Sequence, residues 1–311
     1  MDLADRKKRL RDNPHRARRK CEVRLDRVGI NAGATDRQSI RSLPGFRCVR
    51  SHFLRTGAYQ RVLELNNAET GTTILFYDRA MVPWVAKAKF MLIANDKTGL
   101  QPAELLAIFE LVPDSRLFLV ELAFDFDRKL GVTLAFVLAH ALFGKSRFRA
   151  RKPGILWFGT RRSAKLVRAY WKPQIAAFRV ELELHSSWLR THAIRDLFDF
   201  SLLPSLIVPR HILFCRVNWD KVSSRLLRVH PNHSLAVRNL FWQRFELHAT
   251  LSFIRDELAF PNARRFLIPL ATNRIVANAL NVWAQKWPKH AFYVNPGRKS
   301  RPTFGNRMGV R

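Results

Sequence analysis

The chain has 311 residues, 47% of them hydrophobic, which is enough to bury a substantial core and excludes a disordered polycation. Its 55 lysines and arginines against 24 acidic residues give a formal net charge of +31, which indicates a polyanionic partner: nucleic acid first, an anionic membrane surface second. The longest apolar run, 132–143, is too short to span a bilayer, and three scattered cysteines argue against a disulfide framework or a zinc knuckle.

Residues 1–22 form a predicted basic N-terminal arm. Nine cations between Arg6 and Lys20 stand against only Asp2, Asp5 and Asp12. Such an arm would add non-specific affinity for phosphates, and the alternative is a tail with no dedicated role. Because the arm lacks the apolar segment of a secretory signal, we expect a cytoplasmic protein.

The segment 23–143 is predicted to contain mostly strands, with two helices. Helical spacing of apolar residues indicates helices at 101–111 and 131–143. A turn at 66–71 joins two of the strands into a hairpin. Alternation of apolar and polar residues indicates strands at 23–30, 59–65, 72–77, 89–94 and 117–126.

The character of the chain changes from strands to helices at His185. A cation-rich loop, 145–152, precedes three predicted strands, and helical periodicity then dominates to residue 287. Asn262 is a plausible N-cap for the last helix, and 288–311 form a basic tail. The strands are predicted at 155–160, 166–171 and 177–184, and the helices include 234–259 and 262–287.

The order of these elements predicts an α+β protein. A mostly antiparallel sheet with a ferredoxin-like core would occupy 23–185, and a helical region, 186–287, would follow it. The helical region is predicted to recognise DNA or to make dimer contacts. The alternative for any one arginine here is an ordinary surface side chain that covers apolar residues with its stem. The candidate phosphate contacts are Arg190, Arg195, Arg225, Arg228, Arg238, Arg244, Arg264 and Arg265.

Two predicted strands each carry acidic residues on one face. Period two places Glu121 and Asp125 together on one strand, and Glu181 and Glu183 together on another. If the strands are neighbours in the sheet, their carboxylates converge and repel each other unless a cation lies between them. The alternative is a solvated acidic face, or two amphipathic strands in different parts of the sheet.

A tyrosine flanked by cations precedes the second acidic strand. Arg168, Tyr170 and Lys172 share one strand face, and no acidic residue occurs from Lys145 to Lys172. Two neighbouring cations would stabilise the phenolate and could hold a phosphodiester for attack. A packing or stacking tyrosine is the alternative.

These patterns together resemble a known family of replication proteins. The chain has Gly-Thr-Arg-Arg-Ser where the family has Gly-Ser-Arg-x-Ser, followed by Arg-x-Tyr-x-Lys and Arg-x-Glu-Leu-Glu. It is similar in this to the plasmid and phage replication initiation factors, the rolling-circle initiators of the staphylococcal-plasmid type. The departures are Glu121 where aspartate is usual and Val120 where arginine is usual. The matching residues are Gly159, Arg161, Ser163, Arg168, Tyr170, Lys172, Arg179, Glu181, Glu183 and Asp125.

The resemblance implies a mechanism and a set of partners. Tyr170 would nick one strand of origin DNA, forming a 5′-phosphotyrosine link and a free 3′-OH, and would later rejoin the strand. Mg²⁺ or Mn²⁺ would polarise the scissile phosphate. The partners would be double-stranded origin DNA and an exposed single strand, with a host helicase, a polymerase or a second copy of the chain as further candidates. The implied site residues are Arg161, Arg168 and Lys172 for phosphate, and Asp125, Glu181, Glu121 and Glu183 for the metal.

Two other functions fit the same sequence. The first is a non-catalytic DNA- or RNA-binding protein, in which Trp157, Trp171 and Trp188 stack on unpaired bases. The second is a basic structural or ribosome-associated protein. His230 and His233 form the only closely spaced histidine pair, and their Pro-Asn surroundings favour a turn over a metal site.

Overall fold

The computed structural model describes residues 21–33, 35–95, 98–112, 114–143, 148–160, 162–208, 210–229 and 247–288. Nearly all of the predicted basic arm and tail therefore lie outside the described residues, as do His230 and His233. The described strands are β1 (Cys21–Ala32), β2 (Phe46–Phe53), β3 (Tyr59–Asn67), β4 (Thr73–Ala80), β5 (Ala88–Ile93), β6 (Arg116–Asp127), β7 (Ala141–Leu142), β8 (Phe148–Lys152), β9 (Ile155–Phe158), β10 (Lys165–Lys172), β11 (Ala177–His185), β12 (Leu213–Val217) and β13 (Leu267–Pro269).

The described α-helices are distributed along the chain, and most of them follow β11 in sequence. They are α1 (Arg37–Arg41), α2 (Pro102–Leu111), α3 (Leu134–His140), α4 (Ser186–Thr191), α5 (Leu203–Ile207), α6 (Trp219–Val229), α7 (Leu247–Asp256) and α8 (Thr272–Ala284). Within the described ranges, no helix is both long enough and apolar enough to cross a membrane.

A ten-stranded antiparallel sheet forms the body of the protein. Its strand order is β2-β3-β4-β5-β1-β6-β11-β10-β9-β8, and a small sheet of order β13-β12-β7 lies beside it. Every neighbouring pair in the large sheet is antiparallel. The predicted α+β class and antiparallel sheet are therefore confirmed, although the sheet is much wider than the four strands of a ferredoxin-like core.

The central strands β1, β6 and β11 are stabilised by one large hydrophobic core. Val120, Leu122 and Phe124 of β6 point into it and are fully buried, and Leu182 of β11 packs there too. Helix α8 packs against β1 and adds Trp283 to the same core. Because one face of these strands is occupied by apolar side chains, the charged residues of the same strands share the opposite face.

Three predicted elements differ from the structure. The helix expected at 131–143 is shorter in the structure, where it is α3. Gly131 has a φ of +67°, and Thr133 is the N-cap, whose side chain accepts a hydrogen bond from the backbone N–H of Phe136. The helix expected at 262–287 begins only at Thr272. Residues 267–269 instead pair with β12, and Pro269 cannot donate within a helix. The cation-rich loop is partly strand, since Phe148–Lys152 pairs with β9 at the edge of the sheet.

Strand β2 was not predicted because it shows no alternation. Only its first residue, Phe46, is buried, and the others are exposed or half-buried. An edge strand with solvent on both faces has no apolar pattern to detect, and its place is set by backbone pairing with β3.

Candidate active site

The site lies on the polar face of three neighbouring strands, β6, β11 and β10. Glu121 of β6 is opposite Glu183 of β11, and Arg168 of β10 is opposite Glu181. Tyr170 is opposite Arg179. The two acidic strands, whose adjacency the sequence left open, are therefore neighbours, and the tyrosine strand lies immediately beside them.

A fourth strand, β1, contributes an aspartate that the sequence analysis missed. The pairing of β1 with β6 shifts register between Leu25 and Arg27, which is a β-bulge at Asp26. The signal was present in the sequence. Apolar residues fall on odd positions up to Leu25 and on even positions from Val28, so the alternation changes phase at Asp26.

Asp26, Glu121 and Glu181 form a cluster of three carboxylates, here called the carboxylate cluster. One oxygen from each lies within 4.8 Å of the others. Glu121 and Glu181 are only 1% and 4% exposed. Carboxylate oxygens are the ligands that hard divalent cations prefer, so the cluster has the donor set of a Mg²⁺ or Mn²⁺ site.

Two oxygens of the carboxylate cluster are left without hydrogen bonds. Within the described part of the chain, Oε2 of Glu121 and Oε2 of Glu181 are buried and accept none. Cations are close, since Arg27 lies 3.5 Å from the first oxygen and Arg168 lies 2.8 Å from the second, but neither N–H is aligned for a hydrogen bond. Buried acceptors of this kind fit a metal ligand set, because a bound cation would satisfy both at once.

Arginines surround the carboxylate cluster and compensate its charge. Arg168 donates to Oε1 of Glu121 at 2.6 Å, and Arg179 donates to Asp26 at 2.9 Å. Arg168 was predicted to clamp a phosphate, but its guanidinium is committed here to carboxylates. A substrate phosphate or a metal would therefore compete with an existing ion pair.

Asp125 and Glu183, the other two predicted metal ligands, lie outside the carboxylate cluster. Asp125 accepts two hydrogen bonds from the fully buried Arg179, at 2.6 and 2.8 Å. Glu183 bonds to His185 at 2.5 Å. Burial raises the pKa of Glu183, but the bond from His185 and the charges of His185, Arg168 and Arg27 together outweigh it, so the pKa lies below its usual value. The same contact raises the pKa of His185.

The Tyr170 hydroxyl donates a hydrogen bond to Oε1 of Glu181, at 2.5 Å. Burial and this bond raise the pKa of the Tyr170 phenol well above its usual value, and the lowering effect of Arg179 does not offset them. The expectation of a stabilised phenolate is therefore wrong, because the nearest partner of the hydroxyl is a carboxylate and not a cation. The phenol holds its proton, and Glu181 is placed to accept it.

The remaining predicted residues are divided between the site and its surroundings. Lys172 is 7% exposed, and its charge, like that of Arg179, partly offsets the burial that raises the pKa of Asp26. Arg161 lies outside the described residues. Trp157 lies under the Arg168 guanidinium at 5.7 Å, and Trp171 is 43% exposed. Trp188 is buried and stacked on His192, which leaves no face for a base.

Glu121 is the carboxylate in this site that most resists ionisation. Burial is the main cause, the neighbouring Glu181 adds to it, and together they outweigh the attraction of Arg168, so the pKa of Glu121 rises to about 7. The folded state thus binds a proton more tightly than the unfolded chain, whose glutamate has a pKa of 4.5. Stability from this residue is therefore highest below pH 4.5 and is lost as the pH rises through 7.

Replacing Glu121 with glutamine is expected to raise the free energy of unfolding of the metal-free protein at pH 8, by up to about 3 kcal/mol. At pH 5 the two proteins should differ little, because Glu121 is already protonated in the folded wild type. Urea unfolding in EDTA at both pH values measures the difference. Glu110→Gln, at an exposed position of α2, is the matched control. If Glu121→Gln raised the free energy of unfolding by the same amount at both pH values, the raised pKa of Glu121 would be contradicted.

Comparisons with known proteins give a weak structural likeness. Neither the models of protein families nor the curated proteins gave a match. Among solved structures, the chain is similar to the "Rolling Circle Replication Initiator Protein from Geobacillus stearothermophilus", with a TM-score of 0.41 and 14% sequence identity. The alignment covers 63% of this chain and 87% of that chain. A likeness at this level does not by itself transfer fold or function.

Proposed function

We propose that this protein nicks and rejoins one strand of DNA through a covalent tyrosine intermediate, as a rolling-circle replication initiator. The observation that carries the proposal is the contact of the Tyr170 hydroxyl with Glu181, at the border of a buried carboxylate cluster. It supports the proposal because the proposed nucleophile, its proton acceptor and the candidate metal ligands lie within one hydrogen-bonded unit. The net charge of +31 supplies the attraction for a polyanionic substrate.

The proposed covalent step begins with the proton of Tyr170. As the phenolic oxygen attacks a phosphodiester, its O–H bond breaks and the proton moves to Oε1 of Glu181. The new bond joins the tyrosine oxygen to phosphorus, and the bond from phosphorus to the 3′ oxygen breaks. The 3′ oxygen leaves, takes a proton from water and becomes a free 3′-OH. The reverse sequence rejoins the strand.

Asp26, Glu121 and Glu181 are the residues that would hold a divalent cation. When bound, the cation would act as a Lewis acid on the scissile phosphate. Asp26 takes the place that the sequence gave to Asp125, whose oxygens are occupied by Arg179. In this proposal Arg168 and Lys172 balance the negative charge of the site. Arg168 is the more exposed of the two.

The initiator assignment rests on the sequence motifs. The Arg-x-Tyr-x-Lys and Arg-x-Glu-Leu-Glu segments fall on β10 and β11, so several of the residues that resemble the initiator family, Arg168, Tyr170 and Glu181 among them, meet in this site. Origin DNA and its exposed single strand are the proposed substrate. Residues 23–185 are the proposed nicking and joining domain.

The proposal is tested by incubating the full chain with supercoiled plasmid and a labelled single-stranded oligonucleotide, with Mn²⁺ or with EDTA. We expect relaxation and an adduct resistant to denaturation with Mn²⁺ only. Glu181→Gln should slow adduct formation by roughly 10²–10⁴-fold, since it removes the proton acceptor and a metal ligand together. Glu110→Gln should react at the wild-type rate. Tight DNA binding without any adduct, with every divalent metal tried, would rule the proposal out.

A non-catalytic role on single strands is the second candidate. Trp84, in the turn between β4 and β5, is 82% exposed, and Trp171, beside Tyr170 on β10, is 43% exposed. Exposed tryptophans in a basic protein fit stacking on unpaired bases. This candidate predicts that Trp84→Ala weakens binding to single strands more than to duplex, in a protein that forms no adduct.

A further inference from the structure

A cationic cavity lies in the helical part of the chain, apart from the carboxylate cluster. Its volume is about 510 Å³. It is formed between helix α6 and the short 3-10 turn Ala263–Phe266. The residues that line it are Lys221, Ser224, Arg225, Arg228, Arg265 and Phe266.

The periodicity of α6 builds one wall of this cavity. Lys221, Arg225 and Arg228 are spaced by four and three residues, so they share one exposed face of the helix. The other face carries Val222 and Leu226, which are buried in a small hydrophobic cluster with Ile254, Leu258, Phe260, Ala263 and Phe266. The cations therefore stand on a helix that is fixed from behind by its own core.

Two contacts fix the opposite wall. The Lys221 ammonium donates to the backbone carbonyl of Arg265 at 3.2 Å, which joins the helix to the 3-10 turn. The Arg265 guanidinium lies over the ring of Phe266, 4.9 Å from its centroid. Because Phe266 is only 1% exposed, it forms the floor and holds Arg265 at the rim, and it is not available to stack on a base.

The charge of the cavity is unbalanced, unlike that of the sheet site. Arg168 and Arg179 each pair with carboxylates. None of the six lining residues is acidic, and within the described ranges the four lining cations form no salt bridge with an aspartate or glutamate. Four like charges held around one cavity repel each other, and a bound anion would relieve that repulsion.

We infer that this cavity binds the phosphodiester backbone of DNA. From Lys221 to Arg228 the helix rises about 10 Å, which matches about three phosphates of one strand at roughly 3.4 Å each along the duplex axis. A row of cations of that length fits a continuous backbone better than a single phosphate. The inference goes beyond the proposed nicking activity and does not depend on it, since the site shares no residue with the carboxylate cluster.

The test removes three charges from the cavity of the full chain. Arg225, Arg228 and Arg265 are all exposed, so replacing them together with alanine should leave the fold intact, which circular dichroism checks. Binding to a labelled duplex is followed by fluorescence anisotropy between 50 and 200 mM salt. The slope of log K against log salt is expected to become shallower by about 2 to 3, since each lost phosphate contact contributes about 0.9.

A charge-matched control separates a local effect from a change in net charge. Arg50, Arg210 and Arg274 are exposed and scattered, and their triple alanine variant also loses three charges. It should keep the wild-type slope, and so should R225K/R228K/R265K, because lysine preserves the charge. An equal change of slope in R50A/R210A/R274A would overturn the assignment of the cavity, as would an unchanged slope in the cavity variant.

Two further probes distinguish DNA backbone from other phosphate esters. Inorganic phosphate and ATP are titrated against the wild type and the cavity variant. If the variant loses micromolar ATP or phosphate binding while its duplex binding is unchanged, the cavity is a site for a small anion and the DNA assignment is overturned. Duplex binding that depends on the cavity, whether or not the protein nicks DNA, supports the inference.

Discussion

Replacing Tyr170 with phenylalanine is expected to abolish the covalent DNA adduct and reduce plasmid relaxation to background. The substitution removes one oxygen, the atom that forms the bond to phosphorus in the proposed step. The ring keeps its place on β10 between Arg168 and Lys172, so DNA binding should change less than threefold. Adduct formation with labelled single-stranded DNA in Mn²⁺ and duplex affinity by anisotropy are the two measurements.

The control for this variant is Tyr77→Phe. Tyr77 is half-buried on β4, and burial raises the pKa of its phenol too. Removing its hydroxyl tests the general effect of losing a phenol from the sheet without touching Glu181. It should react like the wild type. If an adduct survives in Tyr170→Phe and is mapped to another tyrosine, the assignment of the nucleophile is wrong while nicking itself stands.

Replacing Arg179 with methionine is expected to lower the free energy of unfolding by about 3–5 kcal/mol. The side chain is completely buried and donates to both oxygens of Asp125 and to Asp26. Methionine fills much of the same volume but removes the hydrogen-bonded guanidinium from two carboxylates, one of them 5% exposed. Asp125 then keeps the more distant Arg24, at 3.4 Å. Urea unfolding at pH 7 measures the loss.

Arg255→Met provides the matched control for this loss of stability. Arg255 also pairs with an aspartate, Asp256, at 2.6 Å, but both side chains are 53% exposed. Solvent screens such a pair, so its removal should change stability far less than the loss of Arg179 does. Equal losses in the two variants would mean that burial does not determine the strength of the Arg179 contacts. Adding Asp125→Asn to Arg179→Met should recover part of the lost stability.

The contacts of Arg179 indicate that a residue of the motif can have a positioning role and take no part in the reaction. Both Arg179 and Asp125 belong to the segments that resemble the initiator family, and the structure joins them by two hydrogen bonds. Their pair links β6 to β11, while a third bond from Arg179 reaches Asp26 on β1. We propose that the pair positions the carboxylate cluster, so that a loss of activity in Arg179→Met would follow from displacement of Asp26.

Local sequence patterns predicted the strands of the site and most of the residues that lie in it. Alternation located β6 and β11 with their acidic faces, and Tyr170 was singled out because cations flank it in a segment without acidic residues. These features are local, since each depends on the spacing of residues within one strand. The strongly basic composition likewise needs no structure to indicate a polyanionic partner.

Which of these residues contact each other depends on the tertiary structure. The bulge in β1 turns Asp26 toward Glu121, and Arg179 occupies Asp125, so the ligand set differs from the one that spacing suggested. The protonation of Tyr170 also depends on the tertiary structure, because the hydroxyl bonds to Glu181 of the neighbouring strand and not to the cations beside it in sequence. Strand register and burial are properties of the assembled sheet, and local spacing does not contain them.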